Sequence, residues 1–336
     1  MKFRWAWKAF KKLDGIFCIY KPKELRFSDA QRRIKQNLLR DLNALPCYEF
    51  EKSIHDIESN KRRTVDEITS NLPITRDVPD VIDVSENRLV LGRRYIESDI
   101  ELFPVAPLQK HSSGVIVMGV GRAVGMLPTI ARAKYMRVYH IRGRFGWATD
   151  NFSPKGKIIE RTSFSHITKP KLDKICAVVQ SNHMKLMFKY AGVKDGSQEA
   201  YELASKGLIR PESKDTPPVI YGVHCIEYNL PDFTLEIHSI NERKEYFMNL
   251  IHELGLQLKS TAVCTQVRRV RFGHFTLDHA LVQDQWNLYE IINNFDKCHP
   301  ELHPDKLLIG SKIDQAKSHH FQIEDGENKN YLLEDS

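Results

Sequence analysis

Three stretches of the chain carry residue types at spacings that could do chemistry. Tyr135, Arg137, Tyr139 and Ile141 alternate with His140, Arg142 and Arg144, so an extended strand would show cations on both faces. Rings interleaved with arginines suit a polyanion with stackable bases, because guanidinium groups meet phosphates while a ring stacks on an unpaired base. A tyrosine in a strand more often packs than recognises, and the position alone does not decide. The second stretch, Gln266 to Phe275, sets Arg268, Arg269, Arg271 and His274 among apolar residues, just before a capped segment opening at Thr276. Such charges are commonly only solvated, but a short strand there could aim alternate arginines at phosphates. The third, Gly119-Val-Gly121 through Gly125, follows a strand and resembles a dinucleotide-binding turn. No acidic residue occurs from Gly125 to Thr149, where that reading needs a ribose-binding carboxylate about 20 residues on, so a Rossmann oxidoreductase is the weaker alternative.

The elements that must position these residues can be read from periodicity. Gly15 to Tyr20 is an apolar strand stopped by Lys21 and Pro22. Ser28 and Gln31 form a capping box, after which Ala30, Ile34, Leu38 and Leu42 recur at helical spacing, with Arg32, Arg33, Lys35 and Arg40 mostly elsewhere. Residues 49–87 are polar, hold Lys61, Arg62 and Arg63 among acids, and read as an inserted loop region. Gly114 to Gly121 is a continuous apolar strand, Val124 to Ala133 a short helix, and Tyr135 to Phe145 a second strand. Thr168 and Pro170 open a helix through Leu172, Ile175, Cys176 and Val179. Val219 to Tyr228 and Phe233 to Ile240, separated by Asn-Leu-Pro-Asp, predict a hairpin. Asn241 is placed to cap a helix with the stripe Phe247, Leu250, Ile251 and Leu254, stopped by Gly255. Strands joined by both hairpins and helices predict an α+β domain over residues 13–296, followed by a polar tail over 297–336.

Composition bounds the rest. The 336 residues are 41% hydrophobic, enough for a sizeable core, and 50 Lys and Arg against 43 Asp and Glu leave a charge of +7 that biases encounters toward polyanions. Cys18, Cys47, Cys176, Cys225, Cys264 and Cys298 are scattered singly, which indicates neither a zinc ribbon nor a disulfide framework and fits a reducing compartment. No apolar run approaches the roughly 20 residues of a membrane span. Residues 1–12 carry Lys2, Arg4, Lys8, Lys11 and Lys12, with no acid before Asp14, which fits a mitochondrial targeting segment or a basic RNA-binding arm.

Several motifs, read in order, carry a resemblance to a known family. They are Gly15-Ile-Phe-Cys-Ile-Tyr-Lys21-Pro22; Leu108-Gln109-Lys110-His111-Ser112-Ser113-Gly114-Val115-Ile116; Arg137-Val-Tyr139 with Gly143, Gly146, Ala148-Thr149-Asp150 and Gly156; Gln198-Glu-Ala-Tyr201 with Gly207; and Leu254-Gly255, Thr261-Ala262-Val263 and Val267-Arg268-Arg269. Together they resemble the TruB-type pseudouridine synthases, and within them the mitochondrial branch without a C-terminal PUA RNA-binding domain. The resemblance implies a pseudouridine synthase fold, a mixed and mostly antiparallel sheet with flanking helices and an RNA-binding cleft. It implies an isomerase that extrudes a uridine, breaks its base-to-sugar bond and rejoins the base through carbon, using a carboxylate nucleophile, a partner arginine and a stacking tyrosine but no metal or organic cofactor. Tyr139 matches the stacking tyrosine, Tyr246 a second site tyrosine, and Val267 an apolar pocket residue.

The chain departs from the family where the chemistry is done. Gln109 stands at the nucleophilic aspartate and Met248 at its arginine partner, and a neutral amide supplies no anionic oxygen. Losing both is coherent, because either charge left alone in a buried cleft costs several kcal/mol. The paired loss favours an RNA-binding or ribosome-assembly protein in the mitochondrial matrix, with Arg137, Arg142, Arg144, Arg268, Arg269 and Arg271 meeting mitochondrial messenger, ribosomal or transfer RNA, and mitochondrial ribosome or RNA-granule proteins as further partners. The alternative is an active synthase using a displaced group, Asp99, Glu101, Lys110 or His111.

Overall fold

A computed structural model describes residues 5–45, 95–194, 196–205, 218–242 and 245–303. The inserted region at 49–87, Gly207 and the tail beyond residue 303 lie outside them.

The apolar runs become one nine-stranded sheet ordered β11-β1-β3-β9-β4-β8-β7, with β2 on β3 and β10 on β9. Its strands are β1 (Gly15–Lys21), β2 (Leu102–Val105), β3 (Ser112–Val120), β4 (Arg137–Phe145), β7 (Val219–Asn229), β8 (Asp232–Ile240), β9 (Ala262–Phe272), β10 (Phe275–Thr276) and β11 (Ala280–Leu281). β5 (Trp147–Thr149) and β6 (Ile158–Arg161) form a separate pair. Among the described strands only β1 with β11 and β3 with β9 run parallel, so the sheet is mixed and mostly antiparallel. The helices are α1 (Ala6–Lys12), α2 (Phe27–Ala44), α3 (Leu127–Arg132), α4 (Lys169–Tyr190), α5 (Gln198–Ser205), α6 (Tyr246–Gln257) and α7 (Leu288–Cys298). The domain is α+β.

The helical stripe in α2 packs as its spacing requires. Ala30, Ile34, Leu38 and Leu42 are all fully buried, in one cluster with Phe17, Ile19 and Ile116 of β1 and β3 and with Leu288 and Ile291 of α7. Each large aliphatic side chain contributes about 1.5–3 kcal/mol by leaving water. A second cluster joins Tyr139, Ile141, Leu235 and Val267 of the sheet to Phe247, Ile251 and Leu254 of α6 and Leu172 and Cys176 of α4.

Several local expectations are corrected. Ser28 forms no capping box: α2 begins at Phe27 without a side-chain cap, and Gln31 instead donates to the Leu102 carbonyl at 2.6 Å. Asn241 lies upstream of α6, whose N-cap is Glu245, and Gly255 sits inside that helix. A Cβ at Gly255 would stand 2.5 Å from the Ala262 nitrogen, so the residue serves close packing rather than a helix stop. α7 continues past residue 297 to Cys298, and a 3-10 turn follows it. The basic N-terminal segment is not separate from the domain: Ala6 and Ala9 are buried in the first cluster and Phe10 stacks on Tyr95 at 4.9 Å. The dinucleotide reading fails because β3 pairs antiparallel with β1 and β2, and a 3-10 turn from Gly121 to Met126 replaces the required helix start. Among the described residues no helix is long and apolar enough to cross a membrane.

Candidate functional site

The three central strands bring the motifs into register. Ser112 of β3 is opposite Val267 of β9, which is opposite Ile141 of β4; two positions on, Gly114, Arg269 and Tyr139 align. The approach is close enough to exclude a side chain at Gly114, where φ is +122° and a Cβ would lie 2.1 Å from the Arg269 carbonyl oxygen. Just before β3, the turn holding Gln109, Lys110 and His111 is pinned from below by Lys21. That lysine is fully buried and donates to the carbonyls of Pro22, Lys110 and Ser112 at 2.9, 3.3 and 2.6 Å. Gln109 is half-buried and its own carbonyl accepts from the Ser112 N–H at 3.2 Å.

Beside this turn lies a cleft lined by Lys23, Glu24, His111, Lys155, Met248 and Val267, among others. Met248 and Val267, from α6 and β9, are two of the positions the motifs single out. The cleft wall at Met248 therefore carries a neutral thioether.

Tyr139 is 2% exposed, with its ring 4.7 Å from that of Phe247 and its hydroxyl donating to Glu242 at 2.6 Å. The guanidinium of Arg137 pairs with the same carboxylate. Burial, and next the negative charge of Glu242, push the Tyr139 phenol well above its ordinary value. Tyr139 stands in the right row but offers no open face to a base in this arrangement. Tyr246 shares a hydrogen bond with His183 at 3.0 Å, and burial raises its phenol while lowering the imidazole.

The arginines divide into three environments, which corrects their grouping as one phosphate-binding set. Arg269 is 1% exposed and donates to the carbonyls of Val115 and Ala106 at 2.8 and 2.9 Å, so it ties strands together and meets no solvent. Arg137 is held by Glu242. Arg142 and Arg144 are exposed, and by strand parity they lie on the face away from Tyr139, with Arg142 3.4 Å from Glu227. Arg268 pairs with His140 and Arg271 with Val138 in the ladder, which puts both on that same far face, Arg268 lying 5.5 Å over the Tyr20 ring.

The displaced acids considered from sequence are also placed. The Glu101 carbonyl accepts from Gly121 N, Asp99 caps Ile96, and both sit at the far end of β3, about 27 Å along the strand from Ser112. Neither reaches the cleft. His111 does, bound through Nδ1 to Glu24 at 3.2 Å. Glu24 and Glu242 are the carboxylates sequence reasoning missed. Nothing in their local spacing marks them, since their partners are distant in the chain.

Comparisons with known proteins bear on this arrangement. Residues 107–243 match the family model described as TruB family pseudouridylate synthase, N terminal domain. The chain is 38% identical over 291 residues to the Xenopus tropicalis protein named pseudouridylate synthase TRUB2, mitochondrial, covering 86% of this chain and 87% of that one. The chain belongs to the TruB family of pseudouridylate synthases. The human protein of the same name is 35% identical over 298 residues, covering 88% of this chain and 86% of that one. Among solved structures, the archaeal box H/ACA sRNP Nop10-Cbf5 complex includes a chain matched at a TM-score of 0.42 and 13% identity, over 91% of this chain and 64% of that one. The position of Gln109 in the Leu-x-x-x-Ser-Ser-Gly-Val turn falls inside the family-model match, as does Tyr139.

Proposed function

We propose that this TruB-family member binds RNA in mitochondria and holds an extruded uridine without isomerising it. The observation that carries the reading is the neutral pair at two positions: Met248 lines the cleft where the family resemblance puts an arginine, and Gln109 stands in the adjoining turn where it puts an aspartate. An amide and a thioether leave no charged pair to form and stabilise a sugar-linked intermediate. The names of the frog and human relatives support a mitochondrial location, within which the matrix is the proposed compartment. Messenger, ribosomal or transfer RNA of that compartment is the partner class, and ribosome assembly or RNA-granule association is the role.

A second reading, an active synthase with a displaced acid, is favoured by one observation: Glu24 lines the cleft and Glu242 reaches the Tyr139 hydroxyl. Both are already engaged by cations, Glu24 by Lys155 and Glu242 by Arg137. The test is to incubate purified protein with mitochondrial RNA fragments, measuring binding and pseudouridine together. Salt-dependent binding without conversion, with some conversion restored by Gln109→Asp combined with Met248→Arg, supports the first reading. Conversion by the unaltered protein establishes the second.

A further inference from the structure

Three segments distant in sequence meet at the mouth of the cleft through one carboxylate. Glu24, in the turn after β1, accepts from Lys155 Nζ at 3.0 Å through Oε2 and faces His111 Nδ1 at 3.2 Å through Oε1. Its backbone N–H donates to the Lys110 carbonyl at 2.8 Å, and its φ is +67°. A non-glycine residue in that left-handed region is strained, and such strain persists only where surrounding contacts over-determine it. Lys23 lines the same cleft, its ammonium donating to the Thr265 carbonyl at 2.9 Å.

We propose that Lys155 and His111 form a binding subsite for an RNA phosphodiester, and that Glu24 occupies it as an internal anion until RNA displaces the carboxylate. This rests on the RNA-binding reading above and deepens it. A phosphodiester presents two non-bridging oxygens to two nitrogen donors, as the Glu24 carboxylate does. All three side chains are accessible to an incoming strand: Lys155 is 65%, His111 42% and Glu24 38% exposed. The phosphate contacts expected on β4 and β9 lie mainly on the far face of the sheet or in the core, which leaves the near side of the cleft to these residues. The two hydrogen bonds hold the Glu24 carboxyl at about 2, down from 4.5, with the bond to Lys155 the larger cause.

The experiment measures binding of a labelled single-stranded, uridine-rich oligoribonucleotide across a salt series. Glu24→Gln and Glu24→Gly are expected to tighten binding several-fold and steepen the log–log salt slope by roughly 0.7, the release expected for one phosphate on a single strand. Lys155→Met is expected to weaken binding and flatten the slope by about the same amount. The glycine variant relieves the backbone strain and so guards against misfolding. Inorganic phosphate at millimolar concentration is expected not to compete; if it displaces the RNA fully, the site is a free-phosphate site and the proposal fails. Unchanged slopes in all three variants, with unaltered protein that binds RNA, overturn the subsite alone. Unaltered protein that binds no RNA overturns the functional reading itself. Pseudouridine formed by unaltered protein and lost in Glu24→Gln makes Glu24 the nucleophile and overturns the subsite.

Discussion

Arg269 is the sharpest place to separate a structural arginine from an RNA-binding one, because motif order and burial point in opposite directions. Replacing it by methionine keeps most of the volume but removes both donations, leaving the Val115 and Ala106 carbonyls unpaired. Hydrogen bonds to a charged group contribute about 1.5–3 kcal/mol each, and the desolvation of the guanidinium is recovered in part, so the net loss is about 3–5 kcal/mol. Against a total stability of about 5–15 kcal/mol that is a large fraction. With a urea m-value of about 2–3 kcal/mol/M, the unfolding midpoint falls by roughly 1–2 M. Arg268→Met, on the solvent side of the neighbouring ladder position, is the control. Its midpoint stays within a few tenths of a molar unit, roughly, while the RNA salt slope falls by about 0.7 if Arg268 meets a phosphate. An Arg269→Met protein with an unshifted midpoint and a flattened salt slope would refute the reasoning, since it would mean the guanidinium faces RNA and not the two carbonyls.

Other outcomes follow from the same contacts. Glu242→Gln removes the carboxylate that neutralises Arg137 in a place where Glu242 is 8% and Arg137 17% exposed, and is expected to lower stability by about 2–4 kcal/mol, read by denaturant melts. The Glu24 carboxyl is depressed in the fold, so its contribution is present above its unfolded value near 4.5 and is lost as pH falls toward about 2. The stability difference between unaltered protein and Glu24→Gln should therefore shrink across that window, and a difference flat from neutral to acid pH would contradict the pairing. Deleting residues 2–12 removes Ala6, Ala9 and Phe10 from the core and is expected to lower the melting temperature. Mass spectrometry of the protein from mitochondria should then find α1 still attached, and a mature N-terminus beyond Lys12 would contradict its place in the fold.

The parts of the fold legible in the sequence were those where one period dominates. The α2 stripe and the alternation in β4 were both readable because a single buried face selects the apolar positions. Caps were less so: Ser28 and Asn241 have the right chemistry, but packing begins α2 two residues early and places Asn241 at φ +63°, short of α6. At the site, Met248 and Val267 were placed in one cleft by motif matching, whereas Glu24 and Glu242 were not, because their partners are brought to them only by strand register and loop closure. Arg269 was misjudged for a related reason. A run of three arginines looks uniform in sequence, but strand alternation turns Arg269 into the core and Arg268 to the opposite face, and the irregularity between Val138 and Tyr139 puts Arg271 on the face of Arg268.

The central claim is that the cleft keeps RNA but lacks the means to isomerise uridine. The most direct measurement is the nucleoside composition, by mass spectrometry, of mitochondrial RNA recovered from complexes with purified protein. The account predicts bound RNA whose uridines are unchanged; pseudouridine accumulating with time and enzyme concentration would contradict it.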